Sequence, residues 1–297
     1  MDSNENIAPT ESGKQPLPRV VYSPESPLKN PLGLLLQILG DFWRYRELVW
    51  TIFLRDLKAQ NRQAILGYLW IIIPPVATAM VWLVLNQQKI VNVDTGDVPY
   101  SVFVLIGTTI WTVFSTTIVA PMDSIQNNRE VLVKLNVPTE PFILAGICKS
   151  AFNGIVLVIV MVMVLLTLGI TPKTTWLWFP FAFANILLFS IMIGLLLAPM
   201  GTLFQDFKNG LSPLLAVLMY SAPIVIPVPE PSSTYKSILT YNPVTPIVAL
   251  GRTSLVGGDY SQWSSFLACL IISTTLILLA FVILRVAKPH LIARMGM

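Results

Sequence analysis

Histidine and cysteine are almost missing from this chain. The single histidine, His290, lies in a basic C-terminal stretch, and the two cysteines, Cys148 and Cys269, sit inside apolar runs as small buried residues do. That supply excludes a disulfide framework, a Cys/His zinc site and a Ser-His-Asp set. No HExxH or DxD sequence occurs, and there is no GxxxxGK[ST] loop to cradle the phosphates of ATP. Charge is scarce as well: 11% of the residues are Asp, Glu, Lys or Arg, against roughly 25% in ordinary globular domains. Asp123, Glu140 and Asp206 fall at the edges of apolar runs and no acid lies in the middle of one. Ion-coupled carriers usually need ionisable groups there. No internal repeat is visible, which argues against an inverted-repeat carrier.

What is present is apolar. Hydrophobic residues make up 54% of the 297, and the mean hydropathy is +0.70. A soluble core of this length cannot hide so much apolar surface, so a bilayer is the natural solvent. Runs near 20 apolar residues predict six spans, at about 65–86, 100–122, 141–168, 176–200, 211–228 and 263–285. Six crossings put both termini on one side. Fourteen of the 19 Lys and Arg residues fall on that side, and Lys89, Lys173, Lys236 and Arg252 fall on the other. Lys149, just inside the third span, would snorkel to the cationic side. The bias predicts cytoplasmic termini. Trp176, Trp178, Phe179 and Trp263 open spans as interface anchors do.

Residues 1–30 are polar, hold five prolines and have no apolar signal segment; they read as a disordered cytoplasmic lead-in. Residues 41–62, DFWRYRELVWTIFLRDLKAQNR, place Arg44, Arg55, Lys58 and Arg62 on one helical face with apolar residues around much of the rest. This pattern predicts an amphipathic interfacial helix, with a generic membrane anchor as the plainer reading. Leu66-Gly67 follows as a joint into the membrane, glycine permitting the bend. Pro74-Pro75 then interrupts the first span, which only surrounding protein or a wet cavity tolerates at that depth. SIQNNREVLVKL, after the second span, predicts a loop helix ended by Pro138. PVTPIVALGRTSLVGG predicts a short re-entrant or surface helix starting after Pro246 and ending at Gly257. The fold class expected is therefore an all-α membrane protein: an amphipathic interfacial helix region (31–63), six transmembrane helices (64–288) with short re-entrant gate helices before the last, and a tail (289–297).

Five segments together resemble one family. RDLKAQNRQAILGYLWIIIPP is similar to its basic stretch, Leu-Gly-x-x-Trp and trailing proline. VLVKLNVPTE resembles its coupling loop, FQDFKNGLSPLL its entry to the fifth span, SAPIVIPVPE the Pro-rich exit, and YNPVTPIVALGRTSLVGG the Asn-Pro, Arg and Gly segment before the sixth. The family is the transmembrane subunit of polysaccharide-exporting ABC transporters of the type 2 exporter superfamily, which handle O-antigen, capsule and teichoic acid. The resemblance covers about residues 31–290. Asn61 departs from a common aromatic, and Gln205 from a common arginine before Asp206.

The resemblance implies a non-enzymatic permease in the bacterial inner membrane: a homodimer on two copies of an ABC ATPase, which bind the ATP and Mg. This chain would bind no cofactor, no metal and no nucleic acid. The cargo implied is a glycan on a polyprenyl pyrophosphate carrier. Arg55, Lys58 and Arg62, with the Leu66-Gly67 joint, would meet its headgroup, where attraction to membrane lipids is the plainer role. Tyr68, Trp70, Trp82, Trp111, Phe114 and Tyr220 would line the sugar path, with Thr108, Thr109, Ser115, Thr116 and Thr117 as hydroxyl partners. Arg129, Glu130 and Lys134 would couple to the ATPase. Asn242, Pro243 and Arg252 would hold an outer gate at 241–258. A drug or small-lipid exporter of the same superfamily, and a lipid-modifying enzyme, remain open alternatives.

Overall fold

The structure is a computed structural model that describes residues 40, 43–62, 67, 69–90, 95, 98–135, 138–227 and 234–295. The lead-in expected at 1–30 lies outside the described residues. Among them every regular element is helical: α1 Arg46–Arg62, α2 Leu69–Gln87, α3 Tyr100–Asn127, α4 Arg129–Leu135, α5 Glu140–Thr167, α6 Phe179–Leu203, α7 Gln205–Leu218, α8 Thr234–Tyr241, α9 Val244–Val256 and α10 Trp263–Met295. Short 3-10 turns, Thr174–Trp178 and Met219–Ser221, precede α6 and follow α7.

Five of these segments are long and apolar enough to cross a membrane: Leu69–Gln87, Tyr100–Asn127, Glu140–Thr167, Thr174–Leu203 and Trp263–Ala287. The expected fifth span, 211–228, differs from the other five. It is α7, of 14 residues, then the 3-10 turn, then non-helical backbone. Proline is the cause. Ala222 is forced extended (φ −116°, ψ 155°) ahead of Pro223, a residue that cannot continue a helix. The segment still runs deep. Lys208 pairs with Asp123 near one end of α3, and the Ile224 carbonyl faces Gly107 near the other. Residues 222–225 are buried, so this irregular backbone lies within protein.

α3 is the axis of the bundle. It packs on α2, α5, α6 and α9, and Val102 through Trp111 are buried without a break. Lipid tails are as apolar as leucine, so close packing at small residues, rather than water exclusion, holds such helices together. Gly194 shows this: a Cβ there would lie 2.6 Å from the Ile118 carbonyl oxygen, so only glycine lets α6 sit this close to α3. α6 also packs on α10. α1 lies against α5 through Ile52 and Phe53, with the Phe53 ring edge-on to Phe152 at 6.2 Å. Arg46 stands 4.6 Å over the Trp43 ring.

Two helices are left largely uncovered. Pro75 is the one buried residue of α2, and only Leu211 and Leu215 are buried in α7. Val81, Val84, Leu214 and Val217 are exposed. The helix expected in the loop after the second span is divided: residues 124–127 continue α3, and α4 is a separate seven-residue helix after Asn128, whose backbone (φ −109°, ψ 14°) leaves the helical region. α9 begins three residues earlier than the start expected after Pro246, because the Asn242 side-chain oxygen accepts the Val244 N–H at 2.9 Å. It stops where expected, at Gly257, which has φ +98°.

Candidate translocation site

On the side of α3 facing α2 and α7, hydroxyl groups recur at helical spacing. Thr108, Thr112, Ser115 and Thr116 form a stripe along one face of the helix that ends at Asp123. Each hydroxyl donates to a carbonyl of its own helix: Thr108 to Val104 (2.8 Å), Thr112 to Thr108 (2.8 Å), Thr116 to Thr112 (2.7 Å) and Ser115 to Thr112 (3.2 Å). Donors are thus satisfied in an apolar setting while oxygen lone pairs stay available to a passing polar ligand. Thr109 and Thr117 are buried, and Thr117 pairs with Ser150 at 2.9 Å instead of joining the stripe.

Opposite the stripe stand Pro74, Pro75 and Thr78 of α2 and Ser212 and Ala216 of α7, with Tyr220 beyond; together they enclose about 550 Å³. α2 continues as a helix through both prolines. Neither proline has an N–H, so the carbonyls of Trp70 and Ile71 lose their partners within the helix. The prolines face the polar chamber.

The structure brings together some expected aromatics and separates others. Trp111 and Tyr220 line the chamber, and Trp82 lies 6.1 Å from Tyr220 by ring centroid. Phe114 turns away, packed on Trp111 at 4.9 Å and stacked with Phe189 at 6.0 Å. It lines a separate apolar pocket of about 490 Å³ with Leu214, Tyr241, Asn242 and Pro243. Trp70 is 60% exposed and does not line the chamber. Leu66 and Tyr68 lie outside the described residues. Gly67 has φ +49°, a left-handed conformation that glycine adopts without steric cost.

Toward the α4 end the chamber meets two further polar ones. Thr116 and Asp123 also line a space of about 220 Å³ between α1, α3 and α5. Asp56, Gln60, Asn127 and Lys149 line both that space and a third of about 640 Å³, which reaches Arg129 and Glu130. Lys208 closes one corner, with its Nζ 2.5 Å from Asp123 Oδ1 and 2.6 Å from Gln126 Oε1. Gln126 in turn donates to the Gly201 carbonyl at 2.9 Å, tying the ends of α3 and α6 to α7.

Arg55 is committed within the protein. Its guanidinium contacts Asp56 at 2.7 Å and donates to the Asn128 side-chain oxygen at 2.5 Å. Lys58 is exposed, and the Arg62 side chain lies outside the described residues. On α4, Glu130 and Lys134 are exposed and pair at 3.4 Å one turn apart. Arg129 is exposed beside them, and Leu132 is fully buried, anchoring the short helix under α3 and α10.

At the opposite end, Asn242 donates to the Ser221 carbonyl at 2.8 Å and so ties the turn after α7 to the start of α9. Pro243 is exposed at that corner. Arg252 joins three elements: it donates to the carbonyls of Ile224 (2.8 Å) and Phe103 (3.3 Å) and lies 3.5 Å over the Phe103 ring. Gly107 leaves the space, since a Cβ there would stand 2.5 Å from the guanidinium. Trp176 and Lys173 donate to the last carbonyls of α9, those of Leu255 and Val256. Burial raises the Tyr260 hydroxyl above its ordinary pKa; it sits 2.9 Å from the Pro246 carbonyl oxygen, in an aromatic cluster with Trp263 and Phe266.

Several polar residues that line the three chambers escape a reading that looks for charge clusters: Thr112, Gln60, Asn127, Asn153, Gln126 and Asp56. Their signal is periodic. Asp56 and Gln60 are four apart on α1, and Lys149 and Asn153 are four apart on α5. Among the described residues no group of three His, Cys, Asp or Glu could hold a metal ion.

Comparison with known proteins gives a consistent result. The ABC-2 type transporter family matches residues 47–256. The O-antigen export system permease protein RfbA of Myxococcus xanthus is 23% identical over 216 residues, 72% of this chain and 82% of that protein. RfbA of Klebsiella pneumoniae is 22% identical over 213 residues, 71% and 81% of the two chains. The polysialic acid transport protein KpsM of Escherichia coli is 26% identical over 213 residues, 71% and 82%. With five spanning helices, a sixth broken segment and a match over most of its length, the chain is a multi-pass membrane protein of the ABC-2 type transporter family, whose members work with an ABC ATPase.

Proposed function

We propose that this chain is the permease of an exporter that moves a lipid-linked polysaccharide across the bacterial inner membrane. Two copies would face each other across the uncovered sides of α2 and α7, so that their hydroxyl stripes line one path. Two ATPase subunits would bind ATP and Mg beneath α4 and drive the movement. The cargo would be a glycan on a polyprenyl pyrophosphate carrier. The observation that carries this reading is the stripe itself: a membrane helix buried on its other sides keeps Thr112, Ser115 and Thr116 accessible beside Trp111 and Tyr220. Hydroxyls and aromatic faces suit the two sides of a sugar ring. The polysaccharide-exporting relatives support the same cargo class.

Both termini would be cytoplasmic. Arg55, Lys58, Arg129, Lys134 and Lys208 gather at the α4 end, while Lys89, Lys173 and Arg252 stand at the α9 end, the asymmetry of a positive-inside protein. A small apolar cargo is the second reading, favoured by the apolar pocket beside Phe114 and Tyr241. Deleting the gene separates the two. Loss of surface polysaccharide is expected; intact polysaccharide with new drug sensitivity would reject the glycan reading.

Charge reversal on α4 checks the ATPase contact. Arg129→Glu with Lys134→Glu is expected to lower co-purification of the ATPase by about tenfold, since two reversed rim contacts remove on the order of 1–2 kcal/mol. Unchanged co-purification and unchanged ATPase rate would place the contact elsewhere.

A further inference from the structure

Among the described residues, the two polar chambers at the α4 end share one cation without an ion pair or side-chain hydrogen bond. Lys149, on α5, lines both the chamber of about 220 Å³ and that of about 640 Å³. The carboxylates around it are already paired: Asp56 with Arg55 at 2.7 Å, Asp123 with Lys208 at 2.5 Å, Glu130 with Lys134 at 3.4 Å. Lys149 has no ion pair or hydrogen bond among the described residues, and it is only partly exposed. One turn further along α5 is a second unmet polar group. Asn153 Oδ1 is buried without a partner, and its amide nitrogen makes one long bond of 3.4 Å to Gln60. Lys149 and Asn153 line one space together with Gln60, Asn127 and Ser150, and Lys149 is the cation among them.

Depth makes this arrangement informative. Lys149 lies nine residues inside α5, which starts at Glu140, so it stands about 14 Å along the helix at 1.5 Å per residue. An ammonium group at that level, opening onto a polar chamber, offers an anion a charge-assisted contact away from the bulk headgroups. Snorkelling along the helix would bring Lys149 to bulk headgroups; here the side chain opens onto an internal chamber that continues to the hydroxyl stripe through Thr116 and Asp123.

We propose that Lys149 receives the phosphate groups of the transported lipid as it enters from the α4 end. This rests on the lipid-linked pyrophosphate reading above. The role is one of binding and positioning, and it moves headgroup recognition from the α1 surface, where Arg55 is already paired, to the inner wall of α5.

The test uses the full-length chain in nanodiscs of phosphatidylcholine and a radiolabelled long-chain polyprenyl pyrophosphate. Lys149→Gln is expected to weaken binding by about tenfold, the loss of one charge-assisted contact. Lys149→Arg should stay within about threefold, because the charge and the donors remain. Removing a cation at the far end, Lys89→Gln, should change nothing. Inorganic pyrophosphate should compete in the wild type and less in Lys149→Gln. If phosphatidylglycerol competes as well as pyrophosphate, Lys149 is a generic lipid contact and the inference fails. Equal binding by wild type and Lys149→Gln overturns the inference and leaves the proposed cargo standing. A wild type that does not bind the polyprenyl pyrophosphate overturns both. Should Lys149→Gln not yield folded protein by thermal melt, the uncharged near-isostere Lys149→Met is judged by the same outcomes.

Discussion

Ser115→Trp is expected to stop export while leaving the chain in the membrane and assembled with its ATPase. Ser115 stands on the accessible face of α3, midway along the stripe, and its side chain opens into the chamber shared with Pro74, Pro75 and Tyr220. An indole there fills space that a sugar ring would need. A clash of about 3 kcal/mol in the loaded state corresponds to a fall of about 100-fold in transport rate. Because Ser115 is not buried, the unloaded fold loses little, and its one hydrogen bond is to its own helix at 3.2 Å. Surface glycan measured in a strain carrying only the variant checks the first part, and detergent-extracted complex checks the second. Normal glycan with a tryptophan at 115 would remove the chamber from the path.

The second large effect is expected at Arg252. Its guanidinium binds the carbonyls of Ile224 and Phe103 and covers the Phe103 ring, so it fastens α3, the irregular segment after α7, and α9 at one point. Arg252→Met keeps the length and removes the donors. The Ile224 carbonyl lies in buried, non-helical backbone, where an unmet acceptor is expensive. A loss of about 1–3 kcal/mol in stability is expected, from the one buried carbonyl left unmet, since the Phe103 carbonyl lies inside α3 and keeps its helical partner. Arg252→Lys should recover little, because an ammonium cannot fork across two carbonyls and lie flat on a ring. Thermal unfolding of the purified complex measures both. If Arg252→Lys melts with the wild type, the hub is held by charge alone. Limited proteolysis should also cut earlier near residues 222–227 in Arg252→Met, since that segment has lost its anchor.

The membrane class and most helix positions were legible from the chain because the signals are cumulative. Long apolar runs, proline at fixed offsets and Gly257 after α9 each act locally. The fifth span was less legible. SPLLAVLMYSAPIVIP reads as one apolar run, yet Pro223 forces Ala222 out of the helix, and composition alone does not show where the backbone then finds its partners. The answer lies in Arg252, 28 residues away. The chamber was partly legible. The double proline marks α2 as a helix with unmet carbonyls, and the structure sets Pro74, Pro75, Trp111 and Tyr220 around one space. Trp70 and Phe114 share the same chemistry but face elsewhere, because rotation about a helix axis is set by packing partners that a single sequence does not reveal. Arg55 illustrates the same limit for charge. Its neighbour Asp56 is adjacent in the sequence, but Asn128, its other partner, is 73 residues on.

On the proposed function, the hydroxyl face of α3 borders a wet path. Cysteine accessibility tests it most directly. In a background with Cys148→Ser and Cys269→Ala, single cysteines are placed at Thr112, Thr116 and Asp123 on the stripe and at Ile159 and Met163 on the exposed outer face of α5. A charged, membrane-impermeant thiol reagent is applied to the assembled complex. Rapid labelling at 112, 116 and 123, with protection at 159 and 163, is the result expected of a water-lined route. Equal protection at all five positions, or labelling only at 159 and 163, would contradict it.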